Sequence, residues 1–171
     1  MSAAARKRDD GQVRVHLLRH AHAGDPFEWN GDDALRPLTN KGRKQSERLG
    51  RFLDSYGIRP DVIITSPKVR AAQTAEIVGG TLGMTWRVDE RLAEDFGSRE
   101  LFALIEESGA REPMLVGHDP DLSMLLAYLV DTAGISMKKG SLATFDVEVG
   151  VGDHAGALRW LLPPELLAGD R

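Results

Sequence analysis

Short apolar runs of strand length alternate along this chain with longer segments of helical periodicity. Val13–Leu18 is the first such run, β-branched in part, and it stops at Arg19-His20, so those two side chains fall where a strand empties into a loop. Asp25–Leu38, with Pro26, Gly31, Pro37 and several acidic residues, reads as a loop. Thr39 is a good N-cap for a helix over Asn40–Tyr56, with Leu49, Leu53 and Tyr56 on one face and Gly57 as its stop. Asp61–Thr65 has the composition of a buried strand. Ser66-Pro67 then opens a helix, with Ser66 as the cap, Pro67 at the first helical position and Gly79-Gly80 at its end.

Thr85–Val88 is a further strand, followed by a loop and a helix over Arg99–Ser108 that turns Leu101, Leu104 and Ile105 inward. Pro113–Val116 is a strand running directly into Gly117-His118. Asp119 and Pro120 then open a helix whose apolar stripe, Leu122, Leu125, Leu126 and Leu129, belongs in a core. Leu142–Val149 and Ala157–Leu162 alternate like a pair of antiparallel edge strands around a Gly-rich turn. This order predicts a three-layer α/β sandwich: a mainly parallel central sheet with an antiparallel edge and helices on both faces. Parallel strands share one carboxyl edge, where ligands of open α/β sheets bind, so Arg19-His20, Ser66 to Arg70 and Gly117-His118 are expected to converge there.

Length and composition narrow this little. The chain has 171 residues, read as one domain over 13–171 behind a disordered arm over 1–12. A net charge of -4 argues against a nucleic-acid-binding face. The absence of cysteine removes disulfides, thiolate metal sites and cysteine nucleophiles, and fits a reducing cytoplasm. No apolar run approaches the roughly 20 residues that span a bilayer, and the N-terminal residues lack the apolar core of a secretory signal. The expectation is a cytoplasmic protein with no membrane or nucleic-acid partner.

Two histidines and two arginines on one sheet edge suit phosphoryl transfer, in which catalysis is mostly positioning and neutralisation of charge on phosphoryl oxygens. Arg19 and Arg70 offer planar forks to those oxygens, and Arg70 falls in the first turn of a helix, where backbone N–H groups also favour an anion. A neutral His20 imidazole can attack phosphorus, and neighbouring guanidiniums keep it neutral by repelling the imidazolium. His118 would donate a hydrogen bond to the phosphoryl group.

Arg19-His20-Ala21-His22, then Arg36-Pro37-Leu38-Thr39 with Gly42, then Ser66-Pro67 with Arg70, Gln73 and Thr74, then Gly117-His118 resemble the histidine phosphatase superfamily. The small size and the Arg-Pro-Leu-Thr segment are similar to its SixA-type phosphohistidine phosphatases, over roughly 13–130. The resemblance implies His20 as the phosphorylated nucleophile and Arg19, Arg70 and His118 as the rest of the phosphate pocket. It implies Arg36 as a further phosphate-contacting residue, with His22 beside it as a candidate substrate contact, and neither metal nor cofactor. The substrate implied is a phosphohistidine-bearing protein or a small phosphorylated metabolite.

Larger members supply a carboxylic acid to protonate an alkoxide leaving group. Glu90, Glu94 and Asp25 are the candidates here, with water or His22 as substitutes; lack of a clear acid favours a phosphoramidate, whose imidazole leaves once protonated. Three alternatives remain: a broad phosphomonoester phosphatase, a non-catalytic phosphate- or phosphoprotein-binding module on the same scaffold, and a metallohydrolase. The last would use His20, His22, Asp25 and a distant His118, against which Arg19 and Arg70 would repel a divalent cation. His16 and His154 read as structural or solvated. Lys138-Lys139 reads as a solvated loop, with a pocket rim facing an acidic phosphoprotein as the alternative.

Overall fold

Residues 11–150 and 156–168 are described in a computed structural model. The strands β1 (Gln12–Arg19), β2 (Val62–Thr65), β3 (Arg87–Val88), β4 (Pro113–Gly117), β5 (Leu142–Glu148) and β6 (Gly156–Leu162) form one sheet in the order β3-β2-β4-β1-β5-β6. β3, β2, β4 and β1 run parallel to one another, while β5 and β6 run antiparallel at the far side. Four helices complete the described chain: α1 (Asn40–Ser55), α2 (Val69–Leu82), α3 (Ser98–Ser108) and α4 (Asp121–Leu129). The expected three-layer sandwich is the fold observed.

Alternation along the strands builds two cores. Val13, Val15 and Leu17 of β1, Ile64 of β2 and Leu115 of β4 face α3 and α4, meeting Leu101, Leu104, Leu122, Leu125, Leu126 and Leu129. Leu18, Ile63, Met114 and Val116 face the other way, against Leu49 and Leu53 of α1 and Ala71, Ala75 and Val78 of α2. Successive side chains of a strand point to opposite faces, so a central strand covered on both sides must be apolar at nearly every position. His16 is the polar residue of β1 that is buried. It is satisfied, with Nδ1 at 2.8 Å from Thr144 Oγ1 and Nε2 at 3.1 Å from Glu112 Oε1, a structural role as expected.

Several boundaries differ from the sequence expectation. α2 begins at Val69 rather than Pro67 and runs past Gly79-Gly80 to Leu82, where Gly83 adopts the left-handed conformation. A glycine inside a helix costs only about 1 kcal/mol, and burial of Val78 and Leu82 outweighs it. Tyr56 is exposed, the cap residue of α1 rather than part of its inner face. β3 has two residues instead of four, and β5 lies inside the sheet, leaving β6 as the edge. The loop before α1 holds two 3-10 turns, Pro26–Glu28 and Asp33–Leu35. Residues 1–10 of the arm expected over 1–12, His154 and most of the Gly-rich turn lie outside the described residues, while Gln12 already belongs to β1.

Candidate active site

The carboxyl ends of β1, β4 and β2 lie side by side and deliver their loops to one place. His20 follows β1 directly. Its backbone N–H donates to Gly117 O at 3.0 Å, and the Gly140 N–H donates to both the Arg19 and His20 carbonyls at 3.1 and 3.0 Å. Gly140 reaches these two oxygens with φ of 84°, a conformation that favours glycine. The imidazole Nδ1 lies 2.8 Å from the Ala21 carbonyl oxygen. A carbonyl only accepts, so in the neutral ring the proton sits on Nδ1 and Nε2 keeps its lone pair. Burial pushes the His20 pKa well below the usual histidine value, and the nearby His118, Arg70 and Arg19 push the same way.

His118 enters from the end of β4, its ring centroid 5.1 Å from that of His20. Its Nε2 lies 2.7 Å from Ser66 Oγ at the end of β2. That oxygen also accepts the Lys68 N–H at 3.2 Å, so the hydroxyl hydrogen is available to Nε2 and the ring proton falls on Nδ1. Ser66 is therefore not the cap of α2; the cap position belongs to Lys68. Burial, and then the charges of Arg70 and Lys68, push the His118 pKa down to about 3, with Arg19 adding a smaller push.

Arg19 and Arg70 bring their guanidiniums to the same spot. Arg19 Nη1 donates to Met137 O at 2.5 Å and to Asp119 Oδ2 at 3.1 Å; that carboxylate also takes the Ser123 hydroxyl at 2.8 Å. Arg70, one residue into α2, donates from Nη1 and Nη2 to the backbone oxygen and Oδ2 of Asp33 at 2.7 and 2.9 Å. Among the described residues, the buried side-chain polar atoms without a hydrogen-bond partner are Arg19 Nε, Arg70 Nε and His118 Nδ1. Leaving one such N–H unpaired costs about 1–3 kcal/mol. All three belong to residues expected to form the pocket.

Arg36 lies on the rim of this pocket and is buried. Its Nε donates to Asp33 Oδ1 at 2.8 Å, and its Nη1 donates to the Ala23 and Gly24 carbonyls at 2.6 and 3.3 Å. Asp33 thus joins Arg36 to Arg70. These two arginines hold its carboxyl below the ordinary range, Arg36 foremost. Periodicity gives no hint of Asp33, but its spacing of three residues before Arg36 inside a tight turn is a usable signal. His22 turns away from His20: its Nδ1 lies 2.8 Å from Thr39 Oγ1, and its backbone N–H donates to Gln45 Oε1 at 2.9 Å. Its hydrogen bonds tie the loop to α1, while Lys139, Arg36 and Lys41 are near enough to lower its pKa further after burial. Lys139, read above as a solvated loop residue, is instead partly buried, its Nζ donating to Gly24 O at 3.2 Å.

The acid candidates are dispersed. Asp25 is exposed and its Oδ1 caps its own 3-10 turn at Phe27 N–H. Glu90 is exposed. Glu94 pairs with Lys68 Nζ at 3.3 Å. Among the described residues neither His20 nor His118 is hydrogen-bonded to a carboxylate. The donors of His20, His22 and Asp25 are engaged separately, and no group of three or more His, Asp or Glu side chains that could hold a metal ion occurs among the described residues. Nor is any described helix long and apolar enough to cross a membrane.

A parallel sheet whose strand ends gather two neutral histidines and two arginines around unpaired donors defines a class of phosphoryl-binding α/β proteins. Residues 15–123 match the model of the histidine phosphatase superfamily (branch 1), and the chain belongs to that superfamily. Its structure is similar to that of the protein histidine phosphatase SixA complexed with tungstate, with a TM-score of 0.78 and 25% identity, covering 91% of this chain and 99% of that one. It also shares the fold of the alpha-ribazole phosphatase from Shigella flexneri, with a TM-score of 0.69 and 20% identity over 89% of this chain and 97% of that one. In sequence it is 33% identical to a probable phosphoglycerate mutase GpmB of Cronobacter sakazakii over 64% of this chain and 52% of that relative. The chain therefore spans about half the length of this mutase relative.

Proposed function

We propose that this protein is a metal-independent phosphatase that works through a phosphohistidine formed on His20, and that its substrate is phosphohistidine on a protein. The observation that carries the proposal is the convergence of three unpaired buried N–H groups, on Arg19, Arg70 and His118, beside a histidine whose Nε2 lone pair is free. The SixA structure to which the chain is similar was solved with tungstate, a tetrahedral oxyanion of the kind those donors suit.

In the first step His20 Nε2 attacks phosphorus, the bond from phosphorus to the leaving nitrogen breaks, and the leaving imidazole departs neutral, its other nitrogen already carrying a proton taken from water. Arg19, Arg70 and His118 hold the equatorial oxygens, where negative charge is spread in the transition state. The Ala21 carbonyl holds the Nδ1 proton and stabilises the cationic ring as its second nitrogen becomes bonded. Water then attacks phosphohistidine 20; the P–N bond breaks, its electron pair returns to Nε2, and phosphate leaves with the remaining proton.

The choice of phosphohistidine rests on the leaving group. An alkoxide needs an acid at hand, whereas imidazole has a pKa near neutrality and leaves as a neutral molecule once protonated. No carboxylic acid touches the two histidines among the described residues, and Asp33, the carboxylate on Arg70, is held ionised by Arg36 and Arg70. Initial rates on a phosphohistidine-bearing protein, a phosphoserine peptide, an aryl phosphate and small sugar and nucleotide phosphates test this. We expect kcat/KM at least tenfold higher on phosphohistidine than on any alkyl phosphate. A faster sugar or nucleotide phosphate would instead make the protein a small-molecule phosphomonoesterase, and tight phosphopeptide binding without turnover would make it a binding module.

A further inference from the structure

The mechanism above uses neither Lys139 nor the outer edge of Arg36, and the two are joined. Arg36 Nη1 and Lys139 Nζ donate to the same oxygen, that of Gly24, at 3.3 and 3.2 Å. Their host loops are fixed independently: Arg36 by Asp33 and the Ala23 carbonyl, residue 139 by the neighbouring Gly140 N–H on the Arg19 and His20 carbonyls. This places a second pair of cations immediately beside the exit of β1.

The charge balance of the pair is uneven. Arg19 has Asp119, while Arg70 and Arg36 share Asp33. Lys139 has no ion-pair partner among the described residues, only the Gly24 carbonyl. Burial, together with the charges of Arg36, Arg19 and Arg70, pushes its pKa below the ordinary lysine value, with Asp25 acting the other way. A partly buried ammonium among guanidiniums is costly unless an anion comes to it.

The remaining donors state which anion. Arg36 has Nε on Asp33 and Nη1 on two carbonyls, so Nη2 has no hydrogen bond among the described residues. The Lys139 ammonium has further N–H bonds beyond the one to Gly24. Lys139 adds one positive charge that no carboxylate pairs among the described residues, and that charge, with donors on two adjacent groups, matches a two-oxygen monoanion better than a phosphate dianion. We infer that Lys139 and Arg36, joined through the Gly24 carbonyl, form an anion subsite next to the phosphoryl pocket that takes a carboxylate carried by the substrate. On the phosphohistidine reading, on which this inference rests, that carboxylate belongs to an Asp or Glu side chain close to the phosphorylated histidine.

The test uses competitive inhibition of aryl phosphate turnover by methylphosphonate, phosphonoacetate, 3-phosphonopropionate and methylenediphosphonate. The wild-type protein should bind at least one of the two carboxylate-bearing compounds tenfold or more tighter than methylphosphonate. Lys139→Met and Lys139→Gln should reduce that ratio to within about threefold of one. The ratio is taken within each variant, so any general change in the pocket or in the folded fraction cancels. Equal inhibition by all three monophosphonates in the wild type would overturn the inference, as would a preference that survives both substitutions. Tightest binding by methylenediphosphonate, dependent on Lys139, would overturn the carboxylate in favour of a second phosphoryl group. If the protein turns over no aryl phosphate, the same ratios are read by calorimetric titration, and the proposed function stands or falls separately on turnover of a phosphohistidine-bearing protein.

Discussion

His20 can accept phosphorus only while its Nε2 is unprotonated. Burial holds it so, with the guanidiniums of Arg19 and Arg70 acting in the same sense. Arg70 contributes more than charge, since its Nη atoms are fixed by Asp33 and its Nε points free. Arg70→Ala should therefore lower kcat/KM by roughly 10²–10³-fold, about what one preorganised donor supplies to a transition state. Arg70→Lys should recover little of this, because a single ammonium cannot hold Asp33 and a phosphoryl oxygen with the same geometry. Ser66 sets the His118 tautomer from a fully buried position. Ser66→Ala should cost about 10-fold or more in kcat, the scale seen when an orienting partner of a histidine is removed, with circular dichroism unchanged. Steady-state kinetics on an aryl phosphate check all three variants.

At the scale of elements, the grip of α1 on the loop behind His20 is the most exposed to a test. A Cβ on Gly42 would lie 2.1 Å from the His22 carbonyl oxygen, so only glycine lets the first turn of α1 press on that segment. Gly42→Ala should cost about 1–3 kcal/mol in urea unfolding, as overpacking does, and should also reduce turnover because the displaced backbone is two residues from His20. Much of this level was legible in the sequence. β1, β2 and β4 each stand out as apolar runs, and each ends in or leads directly into residues expected at the site. Thr39 caps α1 as its position suggests, its Oγ1 accepting the Gly42 N–H at 3.2 Å. What was not legible lies in the irregular chain. The path of residues 25–38 has no period to read, so although the spacing of Asp33 to Arg36 hints at their pairing, the placement of Asp33 on Arg70 could not be inferred. Lys139 likewise finds its hydrogen-bond acceptor in Gly24, 115 positions away in the chain. Ser66 looked like a helix cap because Ser-Pro is a common way to begin a helix, and tertiary contact with His118 gave it a different partner.

Over the whole molecule, two buried neutral histidines make stability depend on pH in a definite direction. In the unfolded chain each titrates near 6.5, whereas folding lowers His118 to about 3 and His20 well below its ordinary value, burial foremost in both. Below pH 6.5 the unfolded chain takes up protons that the native state refuses, so stability falls with falling pH, by about 1.4 kcal/mol per pH unit for each group. The carboxylates of Asp33 and Asp146 are lowered in the fold, and their stabilisation is lost only as pH falls from near 4 downward, beneath the histidine window. Urea midpoints between pH 7 and 5 should therefore decline steeply, with His22, also lowered by burial, adding to the fall, and His118→Gln should make the slope measurably shallower. A flat profile would mean that the histidines are charged in the native state.

That protonation state matters because the account turns on His20 attacking phosphorus. Rapid acid-free quench of the wild-type protein during turnover of a 32P-labelled phosphoryl donor, followed by peptide mapping, measures this most directly. The account predicts an acid-labile, base-stable phosphoryl group on His20 that forms within the first turnover and decays at the rate of phosphate release, and no label and no turnover in His20→Ala. Full turnover by His20→Ala, or a label on any other residue that decays at the catalytic rate, would contradict it.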